Sequence, residues 1–220
     1  MKCCAVGVRM HSGWGALVAI SGTAGALQVI DRRRINITPA GGSRANQPYH
    51  FAENLDFPEA ERFLQNYFFA SAKLASAAVR ELIEELRVQH YRVAGGAVLL
   101  ASGRRLPPLA GILVSHALIH AAEGEFFREI FWKACKDLEI PVTGFRERNL
   151  DECVAAAFGN EAPALQLQIS TLGRLLGPPW TTDQKTATLA ASIVLANKKA
   201  AVRDFSGSPN FQYLHPPLLK

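Results

Sequence analysis

No apolar run in the chain approaches the roughly 18 to 20 residues that a membrane span requires. The short apolar stretch at the N-terminus is soon broken by Arg9 and His11. Neither a signal peptide nor a membrane anchor is expected from this pattern, and a cytoplasmic location is. Cysteine is scarce, with Cys3, Cys4, Cys135 and Cys153 the only four in 220 residues. They show no C-x-x-C spacing and fall short of disulfide-scaffold density, so they read as small core hydrophobes in a reducing compartment. Long runs of like charge are missing as well. The formal net charge is +5, and the densest basic clusters, Arg32-Arg33-Arg34, Arg104-Arg105 and Lys198-Lys199, read first as solvated faces. A mildly basic surface permits nucleic acid as a partner without demanding it. Also absent are the G-x-x-x-x-G-K-[ST] phosphate loop, a G-x-G-x-x-G after a strand and a G-x-S-x-G elbow, which sets aside the nucleotide and serine-hydrolase chemistries that need them. Cys3 and Cys4 open a presumed buried strand and make poor nucleophiles.

Hydrophobic residues make up 49% of the 220, enough to bury a substantial core, and the length favours one domain with elaborations. The first forty residues read as β. "CAVGVRMH" and "GWGALVAIS" flank a Ser12-Gly13 turn, and "ALQVIDRRRINI" follows the glycine-bearing turn "SGTAG". Residues 38–55, with "TPAGGSRANQP", read as a loop. Asp56 caps a long helix to about His90, with Pro58 in its first turn and Glu59 closing a capping box. Its apolar stripe is Phe63, Tyr67, Leu74, Val79, Leu82, Ile83 and Leu86. "RVAGGAVLLAS" is a central parallel strand by its continuous apolar character, which implies a β-α-β crossover. A second helix runs to about Leu138, "IPVTGFRE" is a further strand, and 149–158 form a shorter helix stopped by Gly159. Residues 159–180 read as an irregular insertion. The last helix is capped by Thr181 or Thr182, with Asp183 in its first turn and Lys198 and Lys199 in its last. The expectation is a single α/β domain over 1–203 in the order βββαβαβα, followed by a tail over 204–220.

That element order, with the hairpin "VGVRMHSGWGALVAI" and the final helix "DQKTATLAASIVLA", resembles the ribonuclease H-like superfamily and its resolvase-type members. The resemblance implies a mixed sheet of three antiparallel strands followed by parallel strands, with helices on both faces. It also implies a nuclease site in which carboxylates hold two divalent cations. The chain departs from that pattern at its centre. Arg9 stands in the first strand where the Asp is expected, the fourth strand ends "VLLASG" without a carboxylate, and only Asp183 matches a family acid. A guanidinium cannot ligate a cation and repels one. Two-metal hydrolysis in the family manner is not expected.

The stretch "SHALIHAAEGEFFREI" carries the remaining chemistry. In a helix, His116 and His120 lie about 40° apart and Glu123 about 20° to the other side of His116. That face suits a transition metal. The zinc-peptidase motif fails, since Ala117 follows the first histidine. Three readings stay open: a helix that begins after His116 with Glu123 merely complementing its positive end, an anion or substrate site, and a metal site. In an open α/β sheet, loops after parallel strands meet at one edge. This edge is expected to gather His116, His120, Glu123 and Asp183 as catalytic candidates, with Arg9, His11, Arg128 and Lys185 as ligand-binding ones. Glu123 would orient an imidazole for proton transfer, and Arg9 would grip a phosphate or carboxylate in its planar fork. Trp14, Trp132 and Trp180 read as packing rather than base-stacking platforms. The expected function is a noncatalytic or regulatory module binding an anionic ligand such as nucleic acid or nucleotide. The alternative is a hydrolase or transferase, with or without a metal, using the His/Glu cluster. Cofactor, metal and oligomeric state are left open.

Overall fold

The structure, a computed structural model, describes residues 1–40, 46–101 and 105–199. The β-branched and alanine-rich opening folds as β1 (Lys2–His11) and β2 (Trp14–Ser21), an antiparallel hairpin in which His11 faces Trp14. Gly13 makes the reversal with φ of 81°, a conformation that residues with a Cβ seldom adopt. β3 (Gln28–Asn36) continues the meander beside β2. β4 (Tyr91–Leu100) and β5 (Val142–Arg146) add in parallel, giving the order β3-β2-β1-β4-β5. Strands β1, β4 and β5 therefore end at one rim, and β3, running in the same sense as β1, ends there too.

Between β3 and β4 lie the short α1 (Pro48–Ala52) and the long α2 (Phe57–Val88). Asp56 caps α2 by accepting the Glu59 N–H at 2.9 Å, and Pro sits in the first turn as the sequence pattern requires. The buried stripe of α2 includes Tyr67, Val79, Leu82 and Leu86, whereas Leu74, expected in that stripe, is 38% exposed. The stripe instead passes through the small residues Ser71, Ala72 and Ala75. Small side chains let α2 approach its neighbours, and burial-scale hydrophobicity alone does not mark them.

After β4 come α3 (Leu109–Leu113) and α4 (His116–Asp137), with Ser115 at the N-cap position. The helix thus starts at His116, not beyond it. Past β5 follow α5 (Leu150–Phe158), α6 (Ala162–Thr171), α7 (Gly173–Leu176) and α8 (Thr182–Lys199). Residues 159–180 are therefore largely helical rather than irregular: Leu165 and Ile169 of α6 are fully buried, and that burial stabilises short helices whose sequence carries weak periodicity. Arg32, in one of the basic clusters, donates to the carbonyls of Gly177 and Pro179 at 2.7 Å each and to that of Leu176, tying the α7–α8 connection to β3. Arg104, the side chains of Lys198 and Lys199, and the expected tail lie outside the described residues.

The sheet has two covered faces. One layer packs α1, α2 and α4 on Val6, Val8, Met10 and Val98, around Phe127, Phe131 and Ile119. The other packs α5, α6 and α8 on Ala5, Val18, Ile20, Ala97 and Leu99. Each fully buried Phe or Ile in these layers contributes about 1.5–3 kcal/mol. Side chains alternate between the layers along each strand. Gly7 belongs to the α8 face, where a Cβ would overlap the Ala187 carbonyl oxygen. The alanine face of α8 and this glycine together allow the close helix-to-sheet approach.

Candidate functional site

Alternation along β1 decides where its polar end points. Val6, Val8 and Met10 face the α2/α4 layer, so Arg9, like Gly7, turns toward α8. There the Arg9 guanidinium donates to both oxygens of Glu147, at 2.7 and 3.0 Å, and to Asp183 Oδ1. Hydrogen bonding to Glu147, joined by that to Asp183, raises its already high pKa against the opposing effect of burial. The fork expected to grip an external anion is thus engaged by two carboxylates of the chain itself. His11 Nε2 lies 3.2 Å from Asp183 Oδ2, yet the angles leave that nitrogen without a hydrogen bond. Its ring stacks on Trp14, with centroids 4.2 Å apart and planes at 10°, and the Arg34 guanidinium sits 4.1 Å from the Trp14 centroid. Trp14 is already occupied by this packing.

A cavity of about 310 Å³ opens beside this network, lined by the ends of β1 (Arg9, Met10, His11) and β4 (Leu100, Ala101), by Glu147 and Arg148 after β5, and by Arg128. Three arginines and one carboxylate line it; with Arg9 held by Glu147 and Asp183 and Arg128 beside Glu125, Arg148 is the lining cation left to meet an anion. Arg128 is held by its Nε donating to the Leu99 carbonyl at 3.0 Å, with Nη1 3.4 Å from Glu125. Burial pushes the Glu125 carboxyl above its ordinary range, while Arg128 pulls it back down. Arg148 is exposed and makes no ion pair among the described residues. Lys185, expected at this cleft, is not part of the lining.

The histidines of α4 lie elsewhere. His116 and His120 are exposed, Nε2 to Nε2 at 3.1 Å, and α1 brings a third imidazole, His50, to ring-centroid distances of 5.4 and 4.6 Å from them. Glu123 does not orient His116 or His120. Buried to 2% exposure, it accepts the Tyr49 N–H at 3.0 Å and shares a hydrogen bond of 2.6 Å with His50 Nδ1. The single cleft expected to hold His116, His120, Glu123 and Asp183 together is therefore two sites. Both sit at the rim where the parallel strands end, but α4 and α1 cover one face of the sheet and α8 the other. Arg128 is eight residues past His120, about 12 Å along the helix axis, and only Arg128 of α4 lines the cavity.

Sequence reasoning missed His50, Glu147 and Arg148. His50 sits on a five-residue helix, too short to show a period; Pro48 at its first position and the apolar Tyr49 and Ala52 were the available signals. Glu147 and Arg148 follow β5 directly, and their place at the carboxyl rim was the signal that could have found them.

No protein-family model matches the chain, and no curated protein matches it. Solved structures do. The RuvC of T. thermophilus in complex with a Holliday junction substrate is similar at 11% identity and a TM-score of 0.53, over 91% of this chain and 97% of that one. A second Thermus thermophilus RuvC structure is similar at 12% identity and a TM-score of 0.50, over 90% of this chain and 97% of that one. At such identity the likeness concerns fold. No helix of the described residues is long and apolar enough to cross a membrane. The strand order, the crossover helices and these likenesses together give the chain the ribonuclease H-like α/β fold.

Proposed function

We propose that the chain is a noncatalytic or regulatory ribonuclease H-like module that binds nucleic acid, branched DNA foremost, at the rim where β1, β4 and β5 end. One observation carries the reading: the Arg9 guanidinium lies between Asp183 and Glu147, at the strand position where the resolvase-type pattern places a carboxylate. Its fixed charge offsets one of the two acidic charges there and occupies the oxygens that a dication would need, and it offers no lone pair of its own. The neighbouring cavity ends β4 with Leu100 and Ala101, again without a carboxylate. Arg128 and Arg148 line that cavity and would meet a phosphate of the backbone there. The similarly folded RuvC in complex with a Holliday junction substrate supports a junction as the first nucleic acid to test.

The test is fluorescence anisotropy with a labelled four-way junction and a duplex of the same sequence, paired with a cleavage assay in Mg²⁺ and Mn²⁺. Junction binding that weakens linearly in log-log with salt is expected, because phosphate neutralisation releases counterions. Arg148→Ala should weaken it and lower the salt slope by about 1. No cleavage is expected in either metal. Salt-independent or undetectable binding would remove the nucleic-acid reading, and metal-dependent cleavage lost in Asp183→Asn would replace the noncatalytic one. A second reading, a hydrolase or transferase using the imidazoles of α4, is favoured by the three converging rings and would predict turnover sensitive to His120→Ala.

A further inference from the structure

We infer that His50, His116 and His120 hold one divalent transition-metal ion of the Zn²⁺ class, with Glu123 as the outer-shell carboxylate that orients His50. One ring nitrogen from each of the three lies within 4.8 Å of the others. Two nitrogens at the usual 2.0–2.1 Å from a tetrahedral ion stand about 3.3 Å apart. His116 and His120 already meet at 3.1 Å, and rotation of these exposed rings closes the rest of the gap. Their spacing of four on α4 sets both on one face, one helical turn apart.

The second layer is already built. With Glu123 as the acceptor, the hydrogen bond at 2.6 Å places the His50 proton on Nδ1 and leaves Nε2 with its lone pair for an ion. Metal-bound imidazoles ordinarily make such a contact to a carboxylate. Glu123 is itself fixed by the Tyr49 N–H at 3.0 Å and is almost fully buried, so the orienting group is rigid. Three neutral imidazoles with no thiolate suit Zn²⁺, and a three-ligand set leaves a fourth position for water or an oxygen anion. The ion would also join α1 to α4, two elements more than sixty residues apart in the chain.

The experiment uses the full chain, stripped with chelator and titrated with Zn²⁺ and with Co²⁺. One ion per chain is expected, with the strong visible bands of tetrahedral Co²⁺ and a rise in Tm on loading, since a ligand that binds only the folded state stabilises it. His50→Ala and His120→Ala should each weaken Zn²⁺ binding by about 100-fold or more, and Glu123→Gln by about 10–100-fold. If His50→Ala binds Zn²⁺ as tightly as the parent, the α4 pair alone is the site and the inference falls. Weak, octahedral Co²⁺ spectra in the parent chain overturn it without any variant, which keeps the test decisive should His50→Ala fail to fold. Junction binding measured with and without chelator reports separately on the nucleic-acid reading, which does not depend on this ion.

Discussion

Arg9 carries a charge that no ordinary pH removes, placed between two carboxylates. Its side chain is 26% exposed and that of Asp183 18%, so the network is neither a surface pair nor a fully buried one. Arg9→Ala leaves Glu147 and Asp183 uncompensated near each other. It should cost about 1–2 kcal/mol, between the surface and buried limits. Adding Asp183→Asn should recover part of that loss, because the repulsion goes with the charge. Urea unfolding of the two variants checks both statements, and additive losses would show that the groups act separately. None of this network is written locally in the sequence, since Arg9, Glu147 and Asp183 belong to three separate segments. Polar character at strand and helix ends was legible; who pairs with whom was not.

Elements were more legible than contacts. Asp56 with Glu59, the glycine turn at Gly13 and the alanine stripe of α8 each announce a local conformation that the structure adopts. The contact of α8 with the sheet depends on Gly7, whose missing Cβ is the space filled by the Ala187 carbonyl. Gly7→Val should therefore lower stability by about 1–3 kcal/mol or more by overpacking, read as a lower Tm, although valine raises the local strand preference. A neutral or stabilising outcome would mean that α8 is not seated as described. Short helices were the weak point. Neither α1, which delivers His50, nor α6 has a periodic stripe long enough to recognise, and both form because tertiary contacts bury Tyr49, Leu165 and Ile169.

For the whole molecule, the two covered faces make the cysteines reporters of opening. Cys4 and Cys135 lie in the layer of α2 and α4. Burial pushes the Cys4 thiol up to about 11, helped by Cys3, and burial pushes Cys135 up to about 12. A raised pKa keeps a thiol protonated, so at pH 8 the folded protein holds only about one part in a thousand or less of either as thiolate. In native buffer at pH 8, maleimide should label Cys3 and Cys153, which are partly exposed, and reach Cys4 and Cys135 only as denaturant opens that layer. Mass spectrometry of the labelled peptides checks this, and rapid native labelling of Cys135 would contradict the packing described.

The sequence by itself determined the class of fold, because period, caps and turn residues act over a few neighbours and need no distant partner. It also placed polar residues at the carboxyl rim. Only the tertiary structure decided that this rim holds two sites instead of one. A sheet has two faces, and β1 turns Arg9 toward α8 while α4 keeps its imidazoles on the opposite layer with His50. That division comes from which helix packs on which face, and from a short helix recruited by burial.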